Sequence, residues 1–245
     1  MACIAPACGL QQSERGPYRG PNPLDEMLEL RQPVDWQDGT AAAILVDTSG
    51  SMEEDVPGAD GARTPKIVIA RRAVTNLIRN FEEFAQKNPD KRVLVGIYEF
   101  SSRNDQPHCR PVVEIGPPDS GRAAAALDRM SPEGGTPIGD AMIRAKLDLD
   151  RTGMSRRHML VVTDGKNNKG YSPGDVASVI SRQPEPGRVA FYFVAFDIGA
   201  DRFSRVRDAG GLVLEAANER DLNQTMDFIL TGKILAEQPA TPADR

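Results

Sequence analysis

The 245-residue chain carries 30 Lys and Arg against 35 Asp and Glu, a net charge of −5, so it lacks the basic excess that a nucleic-acid backbone calls for. It has no run of 18 apolar residues and opens on no charged-then-apolar leader, so the expectation is a cytoplasmic protein without a membrane span. Its length suits one sizeable domain with tails.

Residues 1–38 are rich in Pro, Gly and Gln and read as an arm with one short helical candidate over 24–30. Cys3 and Cys8 in this arm supply only half of a zinc site's ligands and read as inert thiols. With Cys109 they make an odd count, which fits a reducing compartment. Trp36, the only tryptophan, is expected to staple the arm to the edge of a domain spanning 39–235.

That domain opens on Ala41-Ala-Ala-Ile-Leu-Val46, six apolar residues in a row, the mark of a parallel strand covered on both faces. Helical spacing of Ile67, Ala70, Val74, Leu77, Ile78, Phe81 and Phe84 predicts a helix over 66–86, with Arg71 and Arg72 on a solvated face. A strand follows over 93–100, then a polar loop holding His108 and Cys109. The next strand, 112–115, comes with no helix between, and so reads as a short antiparallel edge. Helices are expected over 123–130 and 137–149, the second with Thr136 as N-cap and Pro137 at its first position. A buried strand over 159–162 ends in Thr163-Asp164-Gly165. Helices over 175–182, 203–208 and 221–235 then alternate with strands over 189–196 and 211–215, and 236–245 reads as a disordered tail. The alternation predicts an α/β fold, doubly wound, with a mostly parallel central sheet, one antiparallel edge strand and helices on both faces.

The first strand breaks into Asp47-Thr-Ser49-Gly-Ser51. In open α/β sheets, ligands bind in the crevice just past the carboxyl ends of the strands. Alternate residues of an extended segment point the same way, so one carboxylate and two hydroxyls share a side there. These are hard oxygen donors of the kind Mg²⁺ takes. The triplet alone says little, because Asp-x-Ser-x-Ser arises by chance on the order of once in ten to twenty chains of this length. Thr136, behind Gly134 and Gly135, reads alone as a helix cap, and Asp164 alone as a turn residue. All five side chains, however, fall on loops at one edge of one sheet.

In that order the five resemble the von Willebrand factor type A family. Its metal-ion-dependent adhesion site is read as Asp-x-Ser-x-Ser, then a distant Thr, then a distant Asp. The resemblance covers roughly residues 40–235 and implies a Rossmann-like fold. It implies that Asp47, Ser49, Ser51, Thr136 and Asp164 hold Mg²⁺, with Mn²⁺ or Ca²⁺ as further candidates, the two aspartates acting partly through bound water. One coordination position is then left for an Asp or Glu carboxylate of a partner protein. The resemblance also allows an accessory role beside an AAA+ ATPase or a chelatase-type machine, and a shift of the last helix when the site rearranges.

Catalysis finds less support in the residues. Metal-assisted hydrolysis at the Asp47 and Asp164 cluster would call for a general base or a second metal. His158 opens a buried strand and reads as structural, and neighbours such as His108 and Cys109 point apart in extended chain. There is no phosphate-binding Gly-x-x-x-x-Gly-Lys-Ser/Thr loop. Asp140 reads as a dipole-favouring residue of the helix's first turn, and Lys166-Asn-Asn-Lys169 as a solvated loop beside Asp164. The expectation is a binding module with no catalytic residues.

Overall fold

The computed structural model describes residues 23–29, 35–59, 61–185 and 188–237. Most of the arm expected over 1–38, with Cys3 and Cys8, and most of the tail expected over 236–245 lie outside the described residues. Six strands form one sheet: β1 (Gln37–Asp47), β4 (Val93–Arg103), β5 (Gln106–Gly116), β6 (Met154–Thr163), β7 (Ala190–Phe196) and β8 (Leu212–Ala216). Their order is β5-β4-β1-β6-β7-β8; β5 runs antiparallel to β4, and every other neighbouring pair is parallel. This is the α/β architecture the alternation predicts.

The apolar run of β1 is explained by two cores. Ala42, Ile44 and Val46 face α2 (Lys66–Lys87), α3 (Ser120–Leu127) and α7 (Glu219–Ile229). Ala41, Ala43 and Leu45 face α1 (Pro23–Leu28), α4 (Ile138–Arg151), α5 (Pro173–Ser181) and α6 (Ser204–Asp208). A strand with a helical layer on each side has no solvated face, so alternation of apolar with polar residues disappears. Leu24 and Leu28 of α1 are buried, and the Arg157 guanidinium stacks 4.1 Å from the centre of the Trp36 ring. Because β1 lies between β4 and β6, the chain leaves it toward one side and later returns on the other. This reversal opens the crevice at the carboxyl end of β1.

Four local features depart from the sequence reading. The edge strand β5 starts at Gln106, well before 112, because Asn104 and Asp105 both take positive φ, 48° and 61°. Two such residues make the tight primed turn that matches strand twist, so a hairpin replaces the expected polar loop. His108 and Cys109 therefore sit on a strand. Pro107 and Pro111 also lie on β5, the outermost strand at that end of the sheet. A small hairpin of β2 (Asp55–Pro57) and β3 (Arg63–Pro65) precedes α2, where no strand was expected. Finally, α4 begins at Ile138 with no side-chain cap, so Thr136 is not its N-cap. No helix among the described residues is long and apolar enough to cross a membrane.

Candidate functional site

Three loops meet past the carboxyl ends of β1, β4 and β6. The first follows Asp47. Thr48 donates from both its backbone N–H and its Oγ1 to the Phe100 carbonyl at the end of β4, at 2.9 and 3.1 Å. Ser49 N–H donates to Asp47 Oδ1 at 2.8 Å, which turns the chain back over the carboxylate. The Ser49 and Ser51 hydroxyl oxygens come within 3.2 Å of each other.

The second loop, 131–137, is clamped onto the first. Glu133 N–H donates to the Thr48 carbonyl at 2.7 Å, and Gly50 N–H to the Gly134 carbonyl at 3.0 Å. Gly134 has φ of +65°, and a Cβ there would fall 1.9 Å from the Ser102 carbonyl oxygen, so only glycine fits. Gly135 N–H then donates to Ser102 Oγ at 2.7 Å. The third loop follows β6. Thr136 N–H donates to Asn168 Oδ1 at 2.8 Å while Asn168 N–H donates to the Thr136 carbonyl at 3.2 Å, joining the second and third loops.

These links bring all five sequence-predicted residues together. Ser51 Oγ donates to Asp164 Oδ1 at 2.7 Å. Thr163 Oγ1 donates to Asp47 Oδ2 at 2.5 Å. A Cβ on Gly165 would lie 3.1 Å from Thr136 Oγ1 and 3.8 Å from Asp47 Oδ2, so Gly165 lets the three loops close on one another. No group of three or more His, Cys, Asp or Glu suited to holding a metal occurs among the described residues. The cluster at the three loops consists of two carboxylates and three hydroxyls.

The two carboxylates are neutralised differently. Asp47 is fully buried, and among the described residues no ion pair forms on it. Burial pushes its carboxyl up to about 7, the Asp164 charge adds to that, and the Thr163 and Ser49 hydrogen bonds oppose it. Asp164 has a cationic neighbour: Lys66 Nζ lies 3.0 Å from its Oδ2, 2.9 Å from Glu54 Oε2 and 3.0 Å from Asp197 Oδ2. Burial alone would lower the Lys66 ammonium, but its bonds to Glu54, Asp197 and Asp164 hold it above the ordinary lysine range.

Sequence reasoning missed Lys66, Thr163 and Asn168. The signal for Lys66 was a lysine in the first turn of a helix, where a cation opposes the helix dipole and needs carboxylates to sit well. Asp140 accepts from Tyr171 N–H at 2.8 Å and shapes the third loop from below. Of the 166–169 run, Lys169 pairs with Asp105 at 2.8 Å and Asn167 Nδ2 donates to the Lys169 carbonyl, so it is more bonded than a solvated loop. His108 Nε2 faces Glu99 at 3.8 Å, while Cys109 Sγ faces the Pro137 carbonyl at 3.9 Å, so the two point to different partners. Burial pushes the Cys109 thiol up to about 12, away from thiolate chemistry. His158 is fully buried, its Nδ1 3.2 Å from the Tyr192 hydroxyl, and burial lowers it to about 3.

No curated protein matches the sequence. Among solved structures the fold is similar to the PilB minor pilin from Streptococcus sanguinis (TM-score 0.61, 16% identity over 85% of this chain and 65% of the pilin). It is also similar to a von Willebrand factor type A protein from Catenulispora acidiphila (TM-score 0.62, 20% identity over 83% of this chain and 44% of that one). A third similar structure is the conserved hypothetical protein BatB from Bacteroides thetaiotaomicron (TM-score 0.57, 17% identity over 78% of this chain and 99% of that one). This chain thus spans less than two thirds of the first two relatives' lengths. At such identities these structures speak for the fold alone. The family model for the von Willebrand factor type A domain, however, matches residues 42–166, from β1 through the turn after Asp164. By that match, over more than half of its length, the chain belongs to the von Willebrand factor type A domain family.

Proposed function

We propose that the chain binds a partner protein through a Mg²⁺ ion held at the crevice by Asp47, Ser49, Ser51, Thr136 and Asp164. Domains of this family generally mediate protein–protein interactions. The observation that carries the proposal is Asp47, a fully buried carboxylate that accepts from Thr163 Oγ1 and Ser49 N–H and makes no ion pair among the described residues. A buried carboxylate without a counter-charge is costly, and a bound cation removes that cost.

The donor set fits the ion. Hydroxyl oxygens are hard, neutral donors that take nothing from the ion's charge, and Lys66 offsets part of the Asp164 charge, so the ion can still draw in an external carboxylate. Ser51 donates its proton to Asp164 and so accepts from the Ser49 hydroxyl, which leaves one of its lone pairs for the ion. When bound, the ion supplies an open coordination position that attracts an Asp or Glu carboxylate. The chain's own residues orient the hydroxyls, hold the three loops together and keep water from Asp47. This assignment makes the site a receptor for an acidic side chain.

Calorimetric titration with Mg²⁺ tests the reading, with Asp47→Ala beside the parent. The parent is expected to bind one ion and the variant none. Capture of partners from a lysate should likewise fail in EDTA and with Asp47→Ala. Equal metal binding by the two chains, or capture that ignores EDTA for every partner, would overturn the reading.

A further inference from the structure

We infer that Lys66 is the residue that sets the ion preference of the site, favouring Mg²⁺ over Ca²⁺ by occupying one oxygen of Asp164. This rests on the cation reading above and extends it to a residue outside the five donors. The Lys66 side chain is 4% exposed and that of Asp164 is fully buried, so their 3.0 Å contact is shielded from solvent. The ammonium is held from two further sides, by Glu54 at 2.9 Å and Asp197 at 3.0 Å. It cannot swing away without leaving three carboxylates unpaired. Asp197 is itself fixed, with φ of +56° at the end of β7 and its N–H bonded to the Ala216 carbonyl at 2.8 Å.

The consequence follows from how many oxygens Asp164 has left. Its Oδ2 is taken by Lys66 and its Oδ1 receives the Ser51 proton. With the ammonium against Oδ2, a metal gripped by both oxygens would sit beside a second cation, so Asp164 is held to a one-oxygen grip. Mg²⁺ does not need that grip: it takes six oxygens at about 2.1 Å, keeps several waters, and is bound through few carboxylates. Ca²⁺ prefers six to eight oxygens at about 2.3–2.6 Å, and bidentate carboxylates are a usual way to reach that number. An ammonium wedged against Asp164 therefore withholds what the larger ion needs. Shared among three carboxylates, it also offsets part of the Asp164 charge, which weakens the site for any cation.

The test is calorimetric titration of the folded chain with Mg²⁺ and, separately, Ca²⁺, for the parent, Lys66→Met, Lys66→Arg and Asp47→Ala. Lys66→Met keeps the length of the side chain and removes the charge. It should tighten Ca²⁺ binding at least about tenfold, with a smaller gain for Mg²⁺, because both the repulsion and the blocked oxygen disappear. Lys66→Arg, which keeps the charge, should retain the parent's preference. Should Lys66→Met not fold, Lys66→Met combined with Asp197→Asn removes a carboxylate along with the ammonium and carries the same expectation. An unchanged Ca²⁺-to-Mg²⁺ ratio in the charge-removing variant, with the parent binding Mg²⁺, overturns this inference and leaves the cation site standing. If neither the parent nor the variant binds either ion, the cation reading falls and this one with it. Gain of Ca²⁺ binding by the variant alone supports the inference.

Discussion

At the scale of single residues, Asp47 makes stability depend on pH. In the unfolded chain its carboxyl titrates near 3.8, whereas burial in the fold, with no metal present, raises it to about 7. Between those values the folded state keeps a proton that the unfolded state has lost. Stability from this group is therefore complete below about pH 4 and falls as pH rises, until the loss is complete above about 7. Asp47→Asn has no proton to lose. Chemical denaturation in EDTA from pH 4 to 8 should show the variant gaining on the parent as pH rises; parallel curves would refute the assignment. Gly134 gives a second residue-level expectation. Its positive φ and the backbone oxygen 1.9 Å from a would-be Cβ mean that Gly134→Ala should cost more than about 1 kcal/mol by denaturant titration. It should also weaken Mg²⁺ binding, because the loop that carries Thr136 must shift.

Elements separate what is written locally from what is not. α2 was legible because nine of its residues are buried on one stripe, and β1 because two helical layers cover it. Leu77, buried in the middle of α2, should cost about 2–5 kcal/mol when cut to Ala, with Mg²⁺ affinity unchanged since it lies far from the helix's first turn. Denaturation alongside calorimetry checks both halves of that statement. β5 was half legible. Val112 and Val113 have strand character, but Pro107, His108 and Arg110 do not, and only the Asn104-Asp105 turn reveals that the strand begins earlier. The β2–β3 hairpin has three-residue strands containing Pro57 and Pro65, too short and too proline-rich to leave a pattern. Of the site, the Asp-x-Ser-x-Ser loop was legible from its place after a buried strand. Thr136 and Asp164 gained meaning only beside it. Lys66 stood out only as a cation in the first turn of a helix; which carboxylates it meets was illegible, because its contact with Asp164 joins residues 98 apart in sequence.

For the molecule as a whole, an ion bound as proposed at the loops that join β1, β4 and β6 should add to global stability. A ligand bound only to the folded state stabilises it by about 2.7 kcal/mol at one hundred times its Kd. For a chain of this size that is a rise in Tm of roughly 5–10 °C. Thermal unfolding with Mg²⁺ should show such a rise for the parent and none for Asp47→Ala. An equal rise in both would place the ion elsewhere.

The two prolines of β5 bear on how copies of the chain meet. Pro107 and Pro111 are four positions apart and so direct their missing N–H groups to the same side of the strand. The other side is spent on pairing with β4, so the vacant side is short of two donors wherever another strand would try to add. Sheet growth from one molecule into the next is blocked at that margin by covalent structure, at any concentration. The opposite margin, β8, carries no proline, so the molecule presents one closed and one open edge of backbone.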